Sequence, residues 1–233
     1  MHTKAMPVQP YLGSRKKRRS ALLSVLAVGL LTCMMILMSA SSASAHHPFG
    51  GTTPSTLFEG FLSGVGHPLV GPDHFAFIVA VGLIAVVKKQ GMLIPVAFVL
   101  SSLAGTGIHL ASFNLPAPEF FISASVLLFG VFLAMKQQPT MGVISGLAAI
   151  AGLFHGYAYG EAIVGAQMTP LISYLAGFTL VQLGVAIAAF KVAQAVIKGA
   201  ANNNADQPRM SLRFAGFTIG GIGMAFLSSV ILG

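Results

Sequence analysis

The chain has 233 residues, 55% of them hydrophobic and only 8% charged, with a formal net charge of +8. So few charges cannot clothe a globule of this length in polar surface, which excludes an ordinary soluble domain and points to several membrane spans. The positive charge does not indicate nucleic acid, because Arg15-Lys16-Lys17-Arg18-Arg19 stands directly before the apolar run 21–38, the order of a secretory signal.

After that run, Ala43-Ser44-Ala45 places small residues where a signal peptidase reads. Residues 1–45 are therefore expected to be a signal peptide and His46 the new N-terminus; an uncleaved first transmembrane helix is the alternative. Thr32 before Cys33 does not fit a lipoprotein signal, and removal of the leader leaves residues 46–233 without cysteine, which excludes disulfides and thiolate metal sites. Cleavage exposes an amine beside His46-His47-Pro48, a nitrogen set suited to nickel, cobalt or copper, with a short polar leader as the alternative.

Six apolar runs of spanning length follow, at about 57–87, 92–112, 119–135, 141–164, 171–195 and 212–232. The expected fold is an all-α membrane protein, a six-helix transmembrane bundle. Its first run is too long for one straight span: as a helix it would reach ~46 Å, against ~30 Å of hydrocarbon. Pro68, Gly71 and Pro72 lie inside it, so a helix broken or kinked between Pro68 and Pro72 is predicted, with Pro72 at a first helical position and Asp73 and His74 in the restarted first turn.

The same run holds His67, Asp73 and His74. Ionisable groups at bilayer depth cost free energy, about 2.5 to 3.5 kcal/mol for an acidic group, and are retained where a partner or a function offsets it. Imidazoles with a carboxylate and no thiolate suit a divalent transition metal, and His67, Asp73 and His74 are candidate ligands. A polar network between helices is the structural alternative.

The second run carries His109 near its outer end, read as an interfacial residue. Glu59 and Glu119 are read as solvated at the outer surface. The fourth run carries His155-Gly-Tyr-Ala-Tyr159-Gly-Glu161, in which His155 and Glu161 are candidate ligands and an interhelical hydrogen bond is the alternative use. Gln182 in the fifth run is read as helix packing, with the lining of a cavity as the alternative. Residues 199–208, with Asn202-Asn203-Asn204, read as a flexible connection, giving a cytoplasmic loop of about 199–210. Gly216-x-x-x-Gly220 with Gly221 and Gly223, Gly142 with Gly146, and Gly156 with Gly160 are expected to let helices approach closely. A histidine-bearing, glycine-interrupted helix opens each three-span half and the halves run in opposite directions, a pattern compatible with an inverted repeat, although the similarity between the halves is too thin to establish one.

With the leader removed and His46 outside, the loops after the first, third and fifth spans face the cytoplasm. They hold Lys88, Lys89, Lys136, Lys191, Lys198, Arg209 and Arg213, every basic residue beyond the leader, so the positive-inside rule is met with both mature termini outside a bacterial inner membrane. Every remaining histidine then lies in the outward half, which suits capture and import of a cation. Neither H-E-x-x-H nor G-x-S-x-G occurs, so no enzyme is expected, and no P-loop is present to use ATP directly.

Gly64-x-x-His67-Pro68-Leu69-x-Gly71-x-Asp73-His74, followed by Ala80-Val81-Gly82-Leu83, and Phe154-His155-Gly156-Tyr157-Ala158 together resemble the HupE/UreJ family of bacterial nickel and cobalt permeases. The resemblance in topology covers the chain from His46 onward. It implies uptake of Ni²⁺ or Co²⁺ as cargo, without a resident cofactor, with His67, Asp73, His74 and His155 as ligands. Tyr159 stands where the family often carries a second histidine. Partners implied are the metal ion and the bilayer, with a homo-oligomer or a metalloenzyme maturation partner left open. The runner-up function is an accessory protein that binds metal for assembly of a nickel or cobalt enzyme without transporting it.

Overall fold

A computed structural model describes residues 52–201 and 207–233. These form seven α-helices and no strand: α1 Leu57–Val70, α2 Pro72–Ala85, α3 Leu93–Leu110, α4 Pro118–Ala134, α5 Met141–Glu161, α6 Met168–Ala201 and α7 Gln207–Leu232. The expected leader and its cleavage point, with His46 and His47, lie outside the described residues.

The first apolar run is broken as its prolines demand. Pro68 removes one amide donor within α1, and Gly71, extended at φ −75° and ψ 108°, closes the helix through its N–H to the His67 carbonyl at 3.3 Å. The residue before a proline is driven out of the helical region, and Pro72 then starts α2 from the position where its missing N–H costs nothing. The two halves meet at 80°. The opposite end of α1 is fixed by a capping box: the Thr56 side chain accepts from the Glu59 amide at 3.2 Å, and Glu59 Oε2 accepts from the Ser55 and Thr56 amides at 2.8 and 3.2 Å. Glu59, read from sequence as a solvated surface group, is therefore part of the helix start.

Four helices, α3, α5, α6 and α7, are each long and apolar enough to cross a membrane, and the bent α1–α2 pair makes five if it is one span. The remaining expected span is α4. Its 17 residues rise only ~26 Å, because Pro118 starts it immediately after Ala117 in the left-handed region. The expected loop of about 199–210 is shorter than read, since α6 continues to Ala201 and α7 begins at Gln207. Lys191, Ala193, Gln194, Ala195 and Lys198 are all strong helix formers, and they carry α6 past the end of its apolar run.

Three helix pairs build the bundle. α1 lies parallel to α6, α3 parallel to α5, and α4 antiparallel to α7, each at backbone contact over glycine. In the last pair Gly216 approaches Gly130 and Ala134, and Gly223 approaches Leu127. Of the other glycines expected to pack, Gly156 and Gly160 sit against Ser102 and His109, whereas Gly142, Gly146 and Gly221 face open space. Spacing alone does not say which side of a helix finds a neighbour. Phe77, Ile78, Val81, Phe98, Val126, Phe129 and Ile144 fill the centre, while Leu100, Val131, Ile150, Leu180 and Phe217 are exposed apolar side chains on helix exteriors, the pattern of lipid-facing surface.

The two ends of the bundle differ in charge. At one, Lys88 Nζ donates to the Pro139 carbonyl at 2.6 Å and Arg213 Nε donates to the Ala134 carbonyl at 2.9 Å, so that arginine closes the C-terminal end of α4. At the other stand Glu59, Glu119 and Glu161, with Tyr157 Oη donating to Asn114 Oδ1 and Thr53 Oγ1 to the Val164 carbonyl, both at 3.4 Å.

Candidate functional site

The break between α1 and α2 does more than bend the chain. It turns His67, in the last turn of α1, and His74, in the first turn of α2, toward one another, with ring centroids 5.8 Å apart. A regular helix would also set residues seven apart on one face, but about two turns, or roughly 10 Å, from each other along the axis. Gly71 is required for the closer arrangement: a Cβ there would come within 2.7 Å of His74 Cδ2. Asp73 is brought only to the edge. Its Oδ1 accepts from the His74 amide at 2.8 Å and so satisfies a donor of the new helix start.

α5 supplies His155 and Tyr159, four residues apart and hence on one face. Both are fully buried. His155 Nδ1 and His74 Nδ1 are 2.8 Å apart, and the His74 ring also lies 4.7 Å from that of Tyr159, which in turn is 5.2 Å from the His67 ring. α4 contributes Ser125, whose Oγ is 3.1 Å from His155 Nε2, and α6 contributes Tyr174, whose hydroxyl donates to the Tyr159 carbonyl at 2.6 Å and stands 3.5 Å from His67 Nδ1. Phe77 and Phe98 pack on His155 at 4.7 and 5.6 Å between ring centres and wall the cluster off on its deep side.

The hydrogen-bond chain assigns the tautomers. Ser125 has one hydroxyl proton and gives it to the Ile122 carbonyl at 2.6 Å, so toward His155 it accepts, and His155 Nε2 carries the hydrogen. A neutral His155 then has its lone pair on Nδ1 and receives the Nδ1 hydrogen of His74. The lone pair of a neutral His74 is consequently on Nε2. Ser125 and His155 thus orient His74 in the way an outer-shell partner orients a metal-ligating imidazole.

Of the residues singled out from sequence, His67, His74 and His155 come together, with Asp73 beside them. Glu161 does not join them. It lies six positions beyond His155, on another face of α5, and is exposed at the helix end. His109 packs on Tyr157 at 4.4 Å and against Gly160, away from the cluster. Gln182 is fully buried, with Nε2 donating to the Phe178 carbonyl at 3.1 Å and Oε1 facing Ser102 Oγ of α3 at 3.4 Å. Ser125 and Tyr174 escape a sequence reading, because a lone serine or tyrosine within an apolar run carries no spacing signal. Among the described residues no three His, Cys, Asp or Glu side chains form a ready coordination set. What the fold presents is three imidazoles and two phenols gathered around the break between α1 and α2.

The family model described as HupE / UreJ protein matches residues 33–226. Protein HupE of Rhizobium leguminosarum bv. viciae is 30% identical over 144 residues, which cover 59% of this chain and 74% of that protein. No solved structure gives a significant match.

Proposed function

Since the chain belongs to the HupE/UreJ family, a family of membrane permeases and accessory proteins rather than enzymes, we propose that it is a permease taking up Ni²⁺ or Co²⁺ through a site made by His67, Asp73 and His74, with His155 holding the His74 ring in place. The observation that carries this reading is the meeting of three imidazoles from two distant segments in the apolar interior, with His155 buried completely and bonded directly to His74. Imidazoles at such depth are retained for a pathway or a site, and neutral nitrogen donors select late first-row divalent ions over magnesium or calcium.

In the full proposal α4 is the remaining span of a six-span bundle, residues 1–45 are removed, and the lysine-bearing end faces the cytoplasm of a bacterial inner membrane. Glu161, exposed at the acidic end, and His46 and His47 on the mature N-terminus are assigned to capturing the ion before it enters. Sealed vesicles containing only this protein should accumulate ⁶³Ni²⁺ or ⁵⁷Co²⁺ faster than empty ones. Stoichiometric binding by the purified protein with no vesicle uptake would replace transport by the accessory reading, in which metal is held for a maturing nickel or cobalt enzyme.

A further inference from the structure

The α1–α6 and α3–α5 crossings are one structure occurring twice. At the first, a Cβ on Gly60 would meet Pro170 and Ser173, one on Gly64 would meet the Tyr174 backbone, and one on Gly177 would meet Phe61 and Val65. At the second, Gly152 faces Phe98 and Ser101, Gly156 faces the Ser102 backbone, and Gly105 faces Leu153 and Tyr157. The single shift along the chain that carries Gly60 to Gly152 also carries Gly64 to Gly156, Phe61 to Leu153 and Val65 to Tyr157. Another single shift carries Pro170 to Phe98, Ser173 to Ser101, Tyr174 to Ser102 and Gly177 to Gly105. Each of these residue pairings at one crossing therefore has its counterpart, in register, at the other.

Sequence and direction agree with this. Ser101-Ser102-Leu103-Ala104-Gly105 and Ser173-Tyr174-Leu175-Ala176-Gly177 share four of five residues at matched places. The first crossing begins at the acidic end and the second at the lysine end, so the copies are inverted. An axis exchanging them sends the antiparallel α4–α7 pair onto itself.

The shift that matches α1 to α5 carries His67 to Tyr159. These two rings are 5.2 Å apart, and the Tyr174 hydroxyl reaches both residues, so the site is assembled from the same position of each copy. Tyr159 is fully buried, yet its hydroxyl has no hydrogen-bond partner. A buried unpaired hydroxyl costs about 1 to 3 kcal/mol, and this one belongs to a ring packed against both His67 and His74. We infer that the chain consists of two inverted copies of a three-span unit and that Tyr159, the second copy's counterpart of His67, is a donor to the cargo ion and sets which ion the site prefers. The inference rests on the metal-uptake reading above.

Titration of the purified full chain with Co²⁺ and Ni²⁺, read by binding and by the Co²⁺ ligand-field spectrum, tests it alongside thermal unfolding. Tyr159→Phe should weaken binding at least about threefold while Tm holds or rises, because only the unpaired hydroxyl is lost; Tyr159→His should tighten binding about tenfold and alter the spectrum. If both variants titrate as the parent does, with the same spectrum, Tyr159 is a packing residue and the donor role is overturned, even if Tm changes. Should Tyr159→His fail to fold, Tyr159→Phe decides alone. A parent that binds neither metal sinks the uptake reading itself and the donor role with it, a result distinct from silent Tyr159 variants. The repeat is read separately, without metal, by Gly105→Ala and Gly177→Ala: matched losses of folded protein support equivalence, and a loss at one position only contradicts it.

Discussion

Uptake should fall at least about tenfold in His74→Ala, and adding His155→Ala should cost little more. The two imidazoles share one hydrogen bond at 2.8 Å, with Ser125 behind His155 holding the chain in one tautomer. Removing His155 takes that acceptor away from the His74 Nδ1 hydrogen and frees the ring to turn. Either loss therefore disables the same donor, and a double-mutant cycle on transport should show strong coupling. Losses that simply multiply would mean separate sites. Equal falls in folded protein and in transport would return the network to a structural role, which thermal unfolding of each purified variant checks.

A reporter active only outside the cytoplasm should work when fused after Gly233 and be silent when inserted between Asn202 and Asn204. The physical ground is the asymmetry of the bundle: Lys88 and Arg213 close one end, and Glu59, Glu119 and Glu161 mark the other. Retention of Lys and Arg in short loops on the cytoplasmic side fixes orientation in the membrane. The contrast between the two fusions is all or none, and a reversed pattern would turn the proposed uptake path around.

The helix break was legible because each residue of Pro68, Gly71 and Pro72 has one backbone consequence that no distant contact can change. The coming together of His155 and Tyr159 was legible for a similar reason, since four residues on a helix restore the same face. Glu161 shows the limit of reading nearness in sequence as nearness in space, because two residues past Tyr159 the helix has turned its side chain outward. Ser125 and Tyr174 depend on which helices are neighbours, and apolar runs that are hydrophobic on every side do not encode that. The glycines give the same lesson. Gly142 and Gly146 have the spacing of a close-packing pair and face open space, whereas the register shared by Gly60, Gly64, Gly152 and Gly156 emerges only once their partners are known. Thr56-x-x-Glu59, by contrast, was readable as a capping box from spacing alone, and its position before an apolar run was the available signal.

The cargo ion should bind at His67 and His74, with His155 holding the His74 ring. X-ray absorption at the nickel edge of the loaded, purified full chain tests it most directly. The expected spectrum is a shell of nitrogen and oxygen donors with the outer scattering of more than one imidazole, diminished in His74→Ala. A shell of oxygen donors alone, or a spectrum unchanged by His74→Ala, would place the ion elsewhere and contradict it.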